Sequence, residues 1–371
     1  MKNKFALFIF ILTIAFAFAF SCSRQEEYYS VEVIDGVRHV HNNAPIWGYS
    51  LRISLEFVQK IGDLETEDEN FMLYEPRDVA VDGNGNIYIS DSGNCRIQKY
   101  DKHGKYLATF GRRGLGPSEF QMLGLMQVLP DNKIFVSDFY LAKTLVLDPN
   151  GKEIRRFSIP DRRIYRFIVM HSGELLSDGY LRSYSENEKE PYIEPLLKVF
   201  DEELNVKREF CDPLDFGDRS YNQTMNTIYY TIDRNDSVFV TFLEQNRIEK
   251  YTPEGILVWK ADRLLDYKMS KPKPGRGSGK INYFSKNIAV DGKGRAWVQT
   301  VIKQSSGSSN RDNYIPSKSI LEVYENDGTF LCRIPYIDID KMRTYRIFGD
   351  RIFFVDEKTE MAVYEYRIVE K

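Results

Sequence analysis

The sequence predicts an all-β chain: a six-bladed β-propeller of four-stranded antiparallel blades, forming one domain over residues 51–371. Three observations predict it. Short apolar runs alternate with turns, each run too brief for a helix. The turns are rich in Gly, Asn and Asp, residues that tolerate the positive φ of tight hairpins. A punctuation of Val-Asp, Ser-Asp and Tyr-Asp pairs recurs roughly every forty residues, the length of one blade.

The clearest unit is Pro76-Arg-Asp-Val-Ala-Val-Asp82, Ile87-Tyr-Ile-Ser-Asp91, Ile97-Gln-Lys-Tyr-Asp101 and Tyr106-Leu-Ala-Thr-Phe110, joined by Gly83-Asn-Gly-Asn86, Ser92-Gly-Asn-Cys-Arg96 and Lys102-His-Gly-Lys105. With its tail over residues 111–120 this unit resembles an NHL repeat, and the resemblance implies one propeller blade. Blade two repeats the grammar through Ile134-Phe-Val-Ser-Asp138 and Thr144-Leu-Val-Leu-Asp148. Blade three spans residues 165–210, blade four 227–260, and blade five opens at Ile288-Ala-Val-Asp291. Blade six, with Ile352-Phe-Phe-Val-Asp356 and Val363-Tyr-Glu-Tyr366, stops one strand short. The missing strand is Leu51 to Ile61, which closes the ring and removes an exposed sheet edge. Two stacked β-sandwiches would share the short strands but would not explain the repeated punctuation.

The N-terminus sets the compartment. Lys2 and Lys4 precede an apolar run from Phe5 to Phe20, followed by Ser21-Cys22, the plan of a secretory signal. The alternative is an uncleaved anchor, for which the run is short and the flanking Arg24, Glu26 and Glu27 are unfavourable. The stretch Ala19-Phe20-Ser21-Cys22 resembles a bacterial lipobox. That resemblance implies a leader over residues 1–21, lipidation of Cys22, and a tether over 22–50 that carries His39 and His41. The run Ser23-Arg-Gln-Glu-Glu27 is similar to the acidic tether of surface-exposed Bacteroidetes lipoproteins. The chain as a whole therefore resembles the six-bladed propeller lipoproteins with NHL-like repeats found in that group. The resemblance implies a membrane partner through lipid, in the outer membrane and at the cell surface.

Charge and cysteines exclude more than they suggest. With 51 Lys and Arg against 54 Asp and Glu, no electrostatic footprint for nucleic acid exists. Cys95, Cys211 and Cys332 fall in alternate blades, too far apart for disulfides. They are expected to be buried small hydrophobes.

Loop lengths point to a working face. The first-to-second and third-to-fourth turns of each blade are short and share one face, the bottom. The long insertions, residues 179–195, 265–283 and 303–317, fall on the opposite face. Long loops on a rigid scaffold are where binding tends to reside. The top face, around the channel mouth and presented outward, is therefore the expected working surface. Asp91, Asp138, Asp178 and Asp356 recur at the end of the second strand on that face. They read as caps of the following turn, or alternatively as carboxylates holding a divalent cation at the channel mouth. Arg112 and Arg113, on the crossing into blade two, are basic candidates there, with salt bridging as the competing role. The segment Lys271–Lys280 carries four positive charges and reads as a solvated linker before it reads as an anion site.

Catalytic constellations are thin. The four histidines, His39, His41, His103 and His171, do not converge as zinc ligands, and no nucleophile motif is present. The leading expectation is a binding propeller whose ligand is a glycan, a peptide or a protein. The alternative is a metal-dependent hydrolase or lactonase-type propeller acting at the channel mouth. A third reading is an assembly subunit using Tyr180, Tyr184, Tyr192 and Tyr314.

Overall fold

The computed structural model describes residues 28–48, 50–158, 162–163, 166–178, 180–181, 194–270, 281–305 and 317–371. The expected leader, Cys22, the Lys271–Lys280 segment, Tyr184, Tyr192 and Tyr314 lie outside the described residues.

Six antiparallel sheets form the ring, each taken in chain order outward from the channel. Blade one consists of Pro76–Val81, Ile87–Asp91, Arg96–Tyr100 and Tyr106–Phe110. The innermost strands of the other blades are Leu123–Val128, Phe167–Val169, Ile228–Ile232, Ser285–Val290 and Thr344–Phe348. The ring is closed as the sequence predicts. Ile53–Ile61 pairs antiparallel with Ala362–Glu370 as the outer strand of blade six, with a bulge between Phe57 and Gln59.

The repeated punctuation has a local cause. Asp82 Oδ1 accepts the backbone N–H groups of Asn84 and Asn86, each at 2.9 Å. Asp101 does the same for His103 and Lys105, Asp148 for Asn150 and Lys152, Asp233 for Asn235 and Ser237, and Asp291 for Lys293 and Arg295. One carboxylate thus satisfies two turn donors, and the glycine in the turn supplies positive φ, as at Gly85 (φ 83°) and Gly104 (φ 79°). These side chains specify hairpins from within five residues of sequence, before any tertiary contact forms.

The core lies between blades. One cluster packs Tyr88, Cys95 and Ile97 of blade one against Leu123, Ile134 and Leu145 of blade two. Comparable clusters join blades three and four, four and five, and five and six. Both faces of a blade are therefore covered, and second strands such as Ile87–Asp91 and Val238–Phe242 are buried at every position. Cys95, Cys211 and Cys332 are free and buried, each in a different inter-blade cluster.

The expected tether over 22–50 is corrected by the structure. Tyr29–Ile34 and Val37–Asn42 form a β-hairpin, and Val37–Asn42 adds in parallel to the outer strand of blade four, Leu257–Arg263. Blade four is thereby six-stranded, and His39 and His41 lie on a docked strand. The signal was present in the sequence: Asp35-Gly36 (φ 52° and 81°) between two alternating runs is a strong hairpin code. Beyond the hairpin, the Ile46 and Trp47 N–H groups bond to Phe330 and Leu331 of blade five. Residues 28–61 therefore strap the rim of blades four, five and six. A short helix, Arg219–Met225, capped by Asp218 on the Tyr221 N–H, occupies the crossing from blade three to four and was not foreseen.

Asn42 fastens the strap. Buried at 2 % exposure, it donates to the carbonyls of Asp262 and Gly328 and accepts from the Phe330 N–H. Asn42→Ala leaves those buried backbone groups unpaired and is expected to cost about 1–3 kcal/mol, read as a lowered denaturation midpoint with an unchanged slope. An unchanged midpoint would show that the hairpin does not contribute to global stability.

Candidate binding site at the channel mouth

Successive strands of a blade alternate in direction, so every innermost strand starts on the same face. The starts of these strands converge on a cavity of about 450 Å³ to which all six blades contribute. Blade one supplies Arg77, blade two Leu125 and Phe139, and blade three Arg166, Phe167 and Ile168. Blade four supplies Tyr229 and Tyr230, blade five Lys286 and Gln299, and blade six Arg346. The crossing from blade five, with its single helical turn Ile339–Lys341, adds Asp340, Met342 and Arg343.

Five cationic side chains line this mouth, and their partners are unequal. Arg346 is neutralised by a bidentate pair with Asp78 at 2.8 and 2.9 Å, while Asp78 also accepts from the Met126 N–H. That carboxylate ties blades six, one and two together. Lys286 reaches Asp340 at 3.1 Å. Arg343 and Arg77 share the single carboxylate of Glu357, at 2.8 and 3.6 Å. The Arg77 Nε is buried without a hydrogen-bond partner among the described residues. Burial and the neighbouring Arg343 push Arg77 below the ordinary arginine range. Arg166 donates to the Ile228 carbonyl at 2.7 Å and lies 4.0 Å from the centre of the Tyr229 ring, a cation–π contact. Among the described residues no carboxylate stands within ion-pair distance of Arg166. The mouth thus carries positive charge in excess of its ion-paired carboxylates, beside apolar walls from Phe139, Ile168 and Met342.

The predicted site residues are placed differently. Asp91 is fully buried and accepts from the Tyr74 N–H, Asn94 and Arg96. Asp138 accepts the N–H groups of Gln121, Met122, Tyr140 and Leu141. Asp356 accepts those of Lys358, Thr359 and Glu360. Asp138 and Asp356 serve backbone turns, Asp91 ties the Tyr74 backbone to the Asn94 and Arg96 side chains, and none of the three is part of the cavity lining. Arg112 is exposed and pairs with Glu119 at 2.8 Å, and Arg113 donates to the Gly93 carbonyl. Both lie away from the mouth. Of the six candidates only Asp178 stands behind its wall, accepting from the Tyr230 hydroxyl at 3.1 Å.

Among the described residues no three His, Cys, Asp or Glu side chains stand together as metal ligands. His171 pairs with Asp236, and His41 sits between Asp262 and Glu32 at the rim. The mouth cations Arg77, Arg166, Lys286 and Arg346 were missed in the sequence. Their signal is positional: each stands within the first three residues of an innermost strand, or just before it.

Comparison with known proteins bears on the fold. The NHL repeat model matches residues 73–100, the greater part of blade one. A Bacteroides fragilis protein described as exported superposes at TM-score 0.58, with 13% identity over 90% of this chain and 99% of that one. A member of the duf4221 family from Bacteroides vulgatus gives TM-score 0.55, with 10% identity over 86% and 98%. Virginiamycin B lyase from Staphylococcus aureus gives TM-score 0.50, with 11% identity over 85% and 100%. At these identities the likeness establishes the shared propeller fold.

Burial pushes the Asp178 carboxyl up to about 6, above its ordinary 3.8. The folded chain therefore holds this proton to higher pH than the unfolded chain does. Its cost to stability grows as pH rises from about 4 to 6 and stands in full above that. Asp178→Asn should gain stability relative to the parent between those values and hold the gain at neutral pH, in melting curves taken across the range. A difference independent of pH would show that Asp178 ionises normally.

Proposed function

We propose that this chain is an exported, lipid-anchored binding propeller that takes a small anionic ligand at its channel mouth. The observation that carries the reading is the lining itself: Arg77, Arg166 and Arg343 converge on one cavity with a single ion-paired carboxylate among them. Arginine presents a planar fork that suits a carboxylate or phosphate, and a desolvated mouth strengthens such pairs. The cavity falls within the size range of small-molecule sites, with apolar walls and a few convergent polar groups. A ligand with an acidic group and a ring or aliphatic face, such as a sugar acid or an aromatic acid, satisfies both halves of the lining.

Calorimetric titration of the purified chain with a panel of small organic acids and their neutral amides tests the site. Binding should require the acidic group and weaken as salt rises. Arg166→Ala and Arg77→Ala should each weaken it roughly ten- to hundred-fold, the worth of one charge-assisted hydrogen bond. Equal binding of acids and amides, or full affinity in the Arg166→Ala, Arg77→Ala double variant, would defeat the proposal.

Anchoring is proposed through Cys22, within the segment that resembles a lipobox. Placement in the outer membrane and exposure at the cell surface belong to the same proposal. Cys22→Ala should move the protein from the membrane fraction to the soluble exported fraction. Retention in the membrane after that change would refute the anchor.

A further inference from the structure

The docked hairpin changes what an anchor at Cys22 would do. Residue 28 is already held at the rim: its carbonyl accepts the N–H groups of Asn43 and Ala44, and the neighbouring Asn42 carbonyl accepts from Leu264. Tyr28 is thus fixed where the outer edges of blades four and five meet. Only six residue steps separate it from Cys22, and a fully extended chain of that length reaches about 20 Å. A tether over 22–50 would have reached several times further and left the disc free to tumble.

The rim at this place has the character of a membrane-facing surface. Among the described strands, Tyr29–Ile34 is the outermost of the blade four sheet. Val33, Ile34 and Val31 are exposed along it at 68 %, 44 % and 38 %. Leu264, beside the strap, is 71 % exposed. These aliphatic side chains lie along the rim from which the short tether leaves.

We infer that the anchored propeller rests on the lipid surface by the rim of blades four and five, with the hairpin Tyr29–Asn42 as its contact and blade one farthest from the bilayer. The partner is the headgroup region of the bilayer that holds the acyl chains of Cys22. The inference rests on the anchor reading and adds an orientation to it. Partial burial of exposed aliphatics at the interface adds a second attachment to the acyl chains. The channel then opens beside the membrane, and the top face is not directed straight away from it as the sequence alone suggested.

The test uses the full lipidated chain, purified in detergent and reconstituted into phosphatidylethanolamine vesicles carrying a headgroup nitroxide. Single-cysteine variants Val33→Cys, Leu264→Cys, Leu107→Cys and Leu115→Cys are labelled with a fluorophore; the described native cysteines are buried and do not compete. Labels at 33 and 264 should be quenched several-fold more than labels at 107, on blade one, and 115, on the crossing that follows it. A twenty-residue flexible insertion after Ser23 should abolish that contrast while leaving the protein on the vesicles. Uniform quenching, or none, in vesicle-bound protein overturns the orientation and leaves the anchor standing. Shielding at 33 together with a dimer mass in detergent also overturns it, because a second copy then covers the edge. Absence of lipid on Cys22 by mass spectrometry overturns the anchor and the orientation together.

Discussion

The ladder between Ile53–Ile61 and Ala362–Glu370 is the constraint on which the rest of the molecule depends. A ring of blades has no core of its own at the centre; each blade is stabilised by the faces of its two neighbours. Without closure, blades one and six would each expose an apolar face, including Val79 and Ile89 on one side and Phe353 and Val355 on the other, which now pack together. Closure also places the starts of six innermost strands around one axis. The mouth is therefore a product of the ring rather than of any blade, and no single blade carries a recognisable site.

The same constraint explains the electrostatics of the mouth. Cations from different blades are brought together by the fold, and the three carboxylates paired with them, Asp78, Asp340 and Glu357, are fewer than the five cations. Asp78 and Glu357 serve as links between blades, Asp91 is ion-paired with Arg96, and Asp138 and Asp356 are occupied with turn donors. Positive charge is left over because the acidic residues of the repeat already hold structural positions. That division of labour makes the lining suited to an anion.

The fold was legible in the sequence because its code is local. Each Asp-to-backbone turn spans five residues, so its signature survives in blades one, two, four and five, even where the strands have drifted. Ring closure could be read from simple bookkeeping of strands, since blade six lacked one and Leu51 to Ile61 was unassigned. The hairpin at Tyr29–Asn42 was missed although Asp35-Gly36 announced it, because a tether was expected in its place. The site was less legible for a different reason. Arg346 and Asp78 lie 268 residues apart, and whether a cation is neutralised depends on such pairs. Recurrence drew attention to the aspartates, yet recurrence is what turn formation produces. Cations near the starts of the innermost strands, such as Arg77, Lys286 and Arg346, carry no such punctuation, and they are the ones that line the cavity.

The strap over residues 28–61 carries a further consequence, for the order of assembly. Its hairpin meets blade four, Ile46 and Trp47 meet blade five, and Ile53–Ile61 meets blade six, so it is used from beginning to end in the order in which those blades leave the ribosome. The end of the strap also meets blade one, through Ile61 packed with Val79 and Ile89 and through Gln59 on the Lys102 carbonyl, while blades two and three assemble through contacts between neighbours. The final ladder joins residues made first to residues made last, a contact of very high sequence separation and hence a slow one. Earlier docking of the hairpin and of Trp47 shortens the loop that this last step must close, so the search for the closing register begins with the strap already held along two blades.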